Sequence, residues 1–269
     1  MELWAGTQHK KMPESSSTKI DAEQQPEVVE TLPVVKGSSA KAEDFNIFST
    51  DINVTNYGAL KQLKSLFPNE PDEVLARFII ARNYDVEKAA AQLEKHISWR
   101  SKAFPISKSA NMKEISTGKA YIHGTDKDGH PLIVMNVKLF NARERDLNEQ
   151  IQMSLWWLQV VTSPPFMPPN KSKFSLLVNR VDSGANNIDL ESDKAVLSLF
   201  QDNFPERLHR AIVYPSNLLF VMVWNIIRFF IDRVTQEKVK LVMTLPGVQE
   251  FIDDEFIPVS MVLLFYSAA

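Results

Sequence analysis

The chain has 269 residues, of which 44% are hydrophobic, enough to bury a sizeable core in one large domain or two small ones. Its 30 Lys and Arg residues are balanced by 33 Asp and Glu residues, so the net charge of −3 gives no indication of a nucleic-acid partner. The complete lack of Cys excludes disulfides, thiolate catalysis and Cys-ligated metal or iron–sulfur centres, and it is typical of a reducing compartment.

Residues 1–55 are rich in Ser, Gln, Pro and acidic side chains, and their aromatic residues are Trp4, Phe45 and Phe48. This composition predicts a disordered tail, because it offers too little apolar surface to offset the entropy of ordering the chain. The first residues lack the basic start and apolar run of a signal peptide, and Glu2 stands where myristoylation requires Gly. We therefore expect a cytoplasmic protein.

Residues 57–104 predict a small lobe of three helices. A break at residues 67–71 separates the first two helices, and Asp72 is a candidate cap for the second. Asp85 is placed to cap the third helix. Apolar residues recur on one face of that helix at three- and four-residue spacing: Val86, Ala89, Ala90, Leu93 and Ile97.

From Gly129 onward, short apolar runs alternate with helical patterns within a predicted domain of residues 110–260. The runs are 132–137, 174–178, 211–214 and 239–243, and the helices between them are roughly 145–162, 191–203 and 217–231. Continuous apolar runs are typical of strands covered on both faces, and strand-helix-strand order favours a mainly parallel sheet. The predicted fold class is therefore α/β, with a small helical lobe before a sheet flanked by helices.

Motifs for catalysis and cofactor binding are missing from the sequence. It has eight Gly in all, with no glycine-rich phosphate loop and no Gly-x-Ser-x-Gly elbow. Ser183 follows a strand in an Asp-Ser-Gly stretch, which we interpret as a turn rather than a nucleophile. The five His residues share no metal-ligand spacing, and His123 and His130 predict one solvated and one packed ring. We expect no enzyme activity, no cofactor and no metal.

The 17 residues from 211 to 227 carry no charged side chain, which is close to the ~20 residues that a membrane span requires. Pro215 interrupts this run and Asp232 ends the apolar segment, so the longest helical piece is about 15 residues and too short to span. Its apolar arc is nevertheless too broad for an ordinary surface helix. Either both of its faces are buried or one face meets lipid.

Four short motifs follow one another between residues 57 and 257. They are residues 77–89, 125–131, 204–208 (Phe-Pro-Glu-Arg-Leu) and 230–235. In order and spacing they resemble the N-terminal helical signature, the turn into the first strand, the Tyr-Pro-Glu-Arg-Leu motif and the end of the mobile gate helix of the CRAL-TRIO lipid-binding family. The match is to its phosphatidylinositol-transfer branch.

The resemblance implies a hydrophobic lipid pocket whose gate helix, here residues 219–231 and called the gate below, opens at a bilayer. It implies a monomer, peripheral at membranes, that transfers or presents phosphatidylinositol together with a second, less polar lipid. The alternative is a carrier of tocopherol, a retinoid or a sterol. The gate residues predicted to line the pocket are Leu219, Phe220, Val223, Trp224, Ile227, Phe230 and Ile231.

The resemblance also implies a binding site for the inositol phosphate. In the phosphatidylinositol-binding branch, the positions that contact this headgroup match Arg82, Glu206, Arg207, Thr235 and Lys238. The chemistry is suitable, because Arg and Lys donate charge-assisted hydrogen bonds to a phosphodiester and Glu accepts from inositol hydroxyls. Each residue alone could equally form a surface salt bridge, but together they favour a headgroup site.

The positions that hold choline in the same branch are apolar in this chain. Ile122 and Ile133 replace two Tyr residues, and Phe174 and Leu176 replace a Ser and a Thr. An apolar wall cannot supply those hydrogen bonds or the choline-facing rings. We therefore expect phosphatidylcholine to be a poor second ligand.

The C-terminal residues depart from the family pattern. Relatives close the domain with Leu-Pro-x-x-Tyr/Phe-Gly-Gly, whereas residues 254–258 lead into the apolar run 261–266 without a Gly-Gly pair. We expect the C-terminal rim of the pocket to be truncated.

Overall fold

A computed structural model of the protein describes residues 40–262. The helices are α1 (Tyr57–Leu66), α2 (Asp72–Ala81), α3 (Val86–Ala103), α4 (Met112–Ile115), α5 (Leu147–Val161), α6 (Leu190–Asn203), α7 (Leu218–Ile227), α8 (Arg233–Glu237) and α9 (Leu245–Gln249). The strands are β1 (Ala120–Thr125), β2 (Pro131–Asn136), β3 (Phe174–Asn179), β4 (Leu208–Tyr214) and β5 (Val239–Leu241). The α/β class predicted from the sequence is confirmed.

The strands form one sheet in the order β1-β2-β3-β4-β5, with β1 antiparallel to β2 and the other neighbours parallel. The mainly parallel sheet is thus confirmed. Sequence patterning missed β1, because an edge strand is covered less and carries fewer apolar residues. Right-handed crossovers between strands that follow one another across the sheet place α5, α6 and α7 on one face.

Alternate residues of the strands point to opposite faces of the sheet. On one face Leu132, Leu177 and Ile212 are fully buried and belong to a core that includes Val248 and Ile252 from the α9 region. The other face carries Ile133 and its neighbours and looks towards α5 to α7. The continuous apolar runs are therefore explained by two apolar faces.

The helical lobe forms as predicted from α1, α2 and α3, which share a core of their own. Asp85 caps α3, since its carboxylate accepts a hydrogen bond from Lys88 N at 3.0 Å. The prediction for Asp72 is wrong. Pro71 occupies the cap position of α2, and the Asp72 carboxylate instead accepts from Asn46 N and pairs with Lys64 at 2.9 Å.

The sequence predicts a disordered tail up to residue 55, but residues 40–55 are ordered and pack on the helical lobe. Val54 is buried in the core of the lobe, and the ring of Phe45 stacks on Tyr57 with centroids 5.8 Å apart. Glu73 also accepts hydrogen bonds from the backbone of Phe48 and Ser49. These apolar residues were too sparse to stand out from the polar sequence around them. Residues 1–39 of the predicted tail lie outside the described residues.

Asp51 ties this N-terminal segment to the sheet. Its carboxylate accepts hydrogen bonds from the backbone N–H groups of Ser172 and Lys173 and from the Ser172 hydroxyl. His130 Nε2 lies 3.4 Å from Asp51 Oδ2, and its Nδ1 lies 3.3 Å from Asp126 Oδ1. A buried imidazole thus sits between two carboxylates.

The contacts among these three groups shift the pKa of each one in favour of its charged form. Burial opposes the charge on Asp126, but hydrogen bonds from His130 and Ser175 outweigh it and lower its pKa to about 2. Burial likewise opposes the charge on Asp51, yet contacts with His130 and Ser172 hold its pKa well below the usual range. The pKa of His130 is raised, because the two carboxylates outweigh its burial.

The described helices include none that could span a membrane. Within residues 40–262, every helix is too short or too polar to cross a bilayer. α7 ends at Ile227, and a 3-10 turn follows at Arg228–Phe230, so the predicted helix 217–231 is shorter than expected.

We predict that Asp51→Asn lowers the free energy of unfolding by about 2–4 kcal/mol, because it leaves His130 with one carboxylate in a buried site. A lowered Asp pKa contributes stability above the ordinary value of 3.8, and a raised His pKa contributes it fully below 6.5. The loss should therefore be largest between these pH values and shrink as pH rises through the folded-state pKa of His130. Chemical denaturation of wild type and variant across this range measures it.

Asp44→Asn is the control, since the Asp44 carboxylate lies at the exposed start of the same segment. A loss for Asp51→Asn that is equally large at all pH values would contradict the charged contact with His130.

Candidate functional site

A cavity of about 1030 Å³ lies between the sheet and the helices α5, α6 and α7. This volume is at the upper end of the roughly 300–1,000 Å³ typical of small-molecule sites. Its apolar wall is formed by Ile133, Met135, Met153, Trp157, Leu158, Phe174, Leu176, Val178, Val196, Leu197, Phe200, Ala211 and Val213. The cavity occupies the place of a layer of core side chains.

The pleat of the strands explains the apolar wall. Phe174, Leu176 and Val178 alternate along β3 and line the cavity, whereas Leu177 between them is buried on the opposite face. Apolar surface that faces water costs about 25 cal/mol per Å², so this wall favours an apolar occupant.

The gate forms the outer wall of the cavity, and most of the gate lies in α7. Asn217 caps this helix by accepting from Phe220 N at 3.0 Å. The gate residues that line the cavity are Phe220, Val223, Trp224, Ile227 and Ile231. The outer side is also apolar, with Leu218 76% exposed and Phe229 79% exposed. Of the two alternatives that the sequence left open, one face of this helix meets the cavity and the other lies at the surface.

Three residues predicted to line the pocket are not part of its wall. Leu219 is half-buried but is not among the residues that line the cavity, and the Phe230 ring is partly exposed, 4.9 Å from Lys194 Nζ. Ile122 packs among the residues around Ile133, its cross-strand neighbour, because β1 is the edge of the sheet. Ile133, Phe174 and Leu176, the other choline-side positions, do line the cavity.

All five predicted headgroup residues line the cavity. Glu206 and Arg207 directly precede β4 and Lys238 directly precedes β5, at the end of the sheet where the parallel strands begin. Glu206 is at the centre of this group. Its Oε2 lies 3.1 Å from Lys238 Nζ and 3.4 Å from Lys173 Nζ. Glu206 adopts a φ of 55°, a left-handed conformation that is uncommon for residues other than Gly. The backbone is thus held in a costly conformation at the point where the carboxylate meets two lysines.

The Arg207 guanidinium already has a partner within the protein, so only part of it is free to bind a headgroup. Its Nη1 donates to the Ser172 carbonyl oxygen at 2.8 Å. Burial lowers its pKa, while the nearby Glu73 and Asp51 oppose that change. The Arg207 side chain therefore also anchors the start of β4 to Ser172, the residue that Asp51 binds.

Arg82 and Thr235 have more freedom to contact a ligand. Arg82 follows the last turn of α2, and among the described residues its side chain makes no hydrogen bond or ion pair. The Thr235 hydroxyl donates to Asp232 Oδ2 at 2.7 Å, which leaves its oxygen lone pairs open. We call this set of Arg82, Glu206, Arg207, Thr235 and Lys238 the amino-end site. With Lys173 it holds four cations and one carboxylate, an arrangement suited to an anion.

The opposite end of the cavity is also polar, roughly 20 Å away along a strand of six residues. Arg145 lines it and is engaged by Asp189 and Glu191. Arg180, which follows β3, and Asp193 of α6 line it as well. Sequence reasoning missed these residues, although charged residues directly after a parallel strand are a usual sign of a site.

A third polar cluster lies outside the cavity. Asp126, His130 and His209 place ligand atoms within 4.8 Å of one another, and the two His rings stack with centroids 3.7 Å apart. Asp126 Oδ2 already accepts a hydrogen bond from the Ser175 hydroxyl at 2.5 Å, and Asp128 contacts His209 at 3.1 Å. We interpret this cluster as a hydrogen-bond network that fixes the turn between β1 and β2. Residue spacing could not reveal it, because the tertiary fold brings His209 to the turn.

Comparison with known proteins places these features in a family. Residues 115–261 match the CRAL/TRIO domain, and residues 58–93 of the helical lobe match the CUE domain. The phosphatidylinositol transfer protein CSR1 of Eremothecium gossypii is 26% identical over 71% of this chain and 47% of its own length. The CRAL-TRIO domain-containing protein C3H8.02 of Schizosaccharomyces pombe is 25% identical over 70% of this chain and 44% of its own. The chain thus spans about half the length of these relatives.

The fold has a solved counterpart. The crystal structure of Sfh5 superposes with a TM-score of 0.57 at 11% identity, covering 74% of this chain and 84% of that one. This likeness concerns the fold alone.

Proposed function

The chain belongs to the CRAL/TRIO domain family of lipid-binding proteins, and we propose that it binds phosphatidylinositol and transfers or presents it between membranes. The observation that carries this proposal is a large cavity with a long apolar wall and cationic side chains in its lining. CSR1, a relative of this chain, is named a phosphatidylinositol transfer protein. The cavity lining supports an amphiphile with its headgroup at the amino-end site.

The apolar wall is suited to acyl chains. Each methylene that leaves water contributes on the order of 0.8 kcal/mol, so a long cavity adds many small contributions. The volume of about 1030 Å³ supports a bulky lipid rather than a small metabolite.

The amino-end site supports an inositol phosphate. Lys238 and Arg82 supply positive charge at the cavity wall, and Thr235 adds a hydroxyl. Glu206 has two roles in this proposal, since its carboxylate pairs with Lys238 and can accept hydrogen bonds from inositol hydroxyls. A bound phosphate would share Lys238 with Glu206.

The wall offers little to a choline headgroup. Ile133, Phe174 and Leu176 line the cavity without a hydrogen-bonding side chain. We propose that the second ligand is less polar than phosphatidylcholine. The same observation supports the alternative function, a carrier of a tocopherol, retinoid or sterol that never takes phosphatidylinositol.

The outer face of the gate supports transient, peripheral contact with a bilayer by a monomer in the cytoplasm. Met222, Ile226 and Phe229 of the gate, together with the preceding Leu218, are exposed at spacings of three and four residues, so they lie along one side of this segment. An exposed apolar patch of this kind is typical of an interaction surface. Insertion into lipid would bury the outer side while the inner side is opened.

We predict that a Lys238→Ala/Thr235→Ala variant loses at least about tenfold of its bound phosphatidylinositol, because it removes charge-assisted and neutral hydrogen bonds to the phosphate. Mass spectrometry of the lipids that co-purify with wild type and variant measures this. Lys240→Ala is the matched control, since Lys240 is two residues further on and does not line the cavity. An unchanged lipid profile in the double variant would overturn the headgroup assignment.

Phosphatidylcholine uptake tests the apolar wall directly. From vesicles that contain equal amounts of both lipids, we expect at least about tenfold more phosphatidylinositol than phosphatidylcholine in the protein, since the choline group finds no polar partner on the wall. Equal uptake of the two lipids would remove this prediction. Uptake of isoprenoid lipids without phosphatidylinositol would favour the alternative carrier function.

The gate contact predicts that Phe229→Asp weakens binding to lipid vesicles by about tenfold, because a buried Phe ring contributes about 1.5–3 kcal/mol. Vesicle co-sedimentation measures the effect, and an unchanged Tm shows that the fold is intact. Phe48→Asp is the control, since Phe48 is 70% exposed on the helical lobe. If both variants lose binding equally, the gate is not the membrane contact.

A further inference from the structure

Arg180 is a buried arginine that forms no ion pair with any described residue. It is 5% exposed, and its Nε is buried without a hydrogen bond. Among residues 40–262, no carboxylate oxygen lies within the 4.0 Å of an ion pair with Arg180, and no hydrogen bond from its guanidinium is formed. A buried charge normally requires a partner, because desolvation is costly.

The gate covers the Arg180 guanidinium. Its Cζ lies 4.3 Å from the centroid of the Phe220 ring, a cation–π contact. Since Arg180 and Phe220 both line the cavity, this charge faces the interior space beneath the gate rather than the surface. The contact shields the guanidinium, but it satisfies none of its N–H donors.

Asp193 lies on the other side of the same space. Burial raises its pKa to about 7, Asp189 adds to this rise, and Arg180 opposes it. Arg180 is therefore near enough to act on the Asp193 carboxyl, yet too far for a direct ion pair. The adjacent Ser192 hydroxyl is 1% exposed and also has no hydrogen-bond partner within the described part of the chain. A donor and an acceptor thus line the same cavity, with more than 4.0 Å between their charged atoms.

The charges at this end disfavour a phosphate. Asp189 and Glu191 already engage Arg145, so among the described residues at this end Arg180 is the cation without an ion pair, and Asp193 lines the same end. A second anion would be repelled by these carboxylates. A hydroxyl group suits the gap better, since its oxygen accepts from Arg180 while its hydrogen is donated to Asp193.

The residues around Arg180 and Asp193 are apolar, which indicates the chemistry of the remainder of the ligand. Val178, Val213, Val196 and Leu197 line the cavity near Arg180 and Asp193 from the strand ends and from α6. A molecule with its hydroxyl between the two polar side chains would lay a hydrocarbon body against these residues. The amino-end site lies about 20 Å away and is not needed for this contact.

We propose that the Arg180–Asp193 end of the cavity is a second polar subsite, which binds the hydroxyl of an apolar lipid alcohol such as a sterol. This proposal rests on the proposed function in so far as the cavity holds lipid. It identifies the chemical class of the less polar ligand and assigns a place to its polar end. Ser192 also lines the cavity, and its unpartnered hydroxyl is a further group that the ligand hydroxyl could contact.

The test compares a fluorescent sterol that has a free hydroxyl, dehydroergosterol, with its 3-O-methyl ether, both offered to the full chain from neutral vesicles. We expect the wild-type protein to bind the alcohol at least about tenfold more tightly, because the ether cannot donate a hydrogen bond to Asp193. Asp193→Leu and Arg180→Met should each bind the two probes alike. Glu191→Leu is the matched control, since Glu191 lies in the same turn but not on the cavity wall.

The ratio of the affinities for dehydroergosterol and its methyl ether decides the test. A wild-type protein that binds both probes equally, or neither, overturns the proposal, as does an Asp193→Leu variant that retains the preference. If Arg180→Met does not fold, the wild-type ratio and Asp193→Leu still decide. Phosphatidylinositol loading of the same variants is measured in parallel and should not change, so its loss or absence would count against the proposed function and not against this subsite.

Discussion

The covering of one face of the sheet is the constraint on which the structure depends. A parallel sheet is stable when both faces are shielded from water. Here one face has a packed core with Val248 and Ile252, whereas the face with Ile133 and Leu176 looks into a cavity of about 1030 Å³. Under the proposed function, the acyl chains of a bound lipid would supply the apolar atoms that complete this layer. Binding lipid and completing the hydrophobic core would then be the same process.

The two ends of the cavity differ in charge because they are built from opposite ends of parallel strands. The amino ends bring together Lys173, Glu206 and Lys238, in which cations exceed the carboxylate. The carboxyl ends lead into Arg180 and the acidic first turn of α6 around Asp193. A phosphate suits the first environment and a neutral hydroxyl suits the second. Under the proposed function, this difference in charge would orient an amphiphile in the cavity, with its phosphate at the amino ends of the strands.

The sequence predicted features that repeat locally and missed those that tertiary structure assembles. Apolar runs located β2 to β5, and short motifs located the residues that line the amino end, because both are continuous in sequence. Asp51 lies in the segment whose composition predicts a disordered tail, and nothing near it in sequence shows that it meets His130. Arg180 and Asp193 went unnoticed for the same reason. A charged residue shows its function only when its burial and its lack of a partner are known.

Lys238 connects the headgroup end of the cavity to the gate. It follows α8 directly, at the end of the segment that carries the gate, and its ion pair with Glu206 ties this segment to the start of β4. Glu206 is also paired with Lys173, so it keeps one cation if Lys238 turns to another anion. A phosphate that competes for Lys238 would weaken the tie. The ligand and the closed gate would then share one cation, which couples filling of the cavity to the position of the gate.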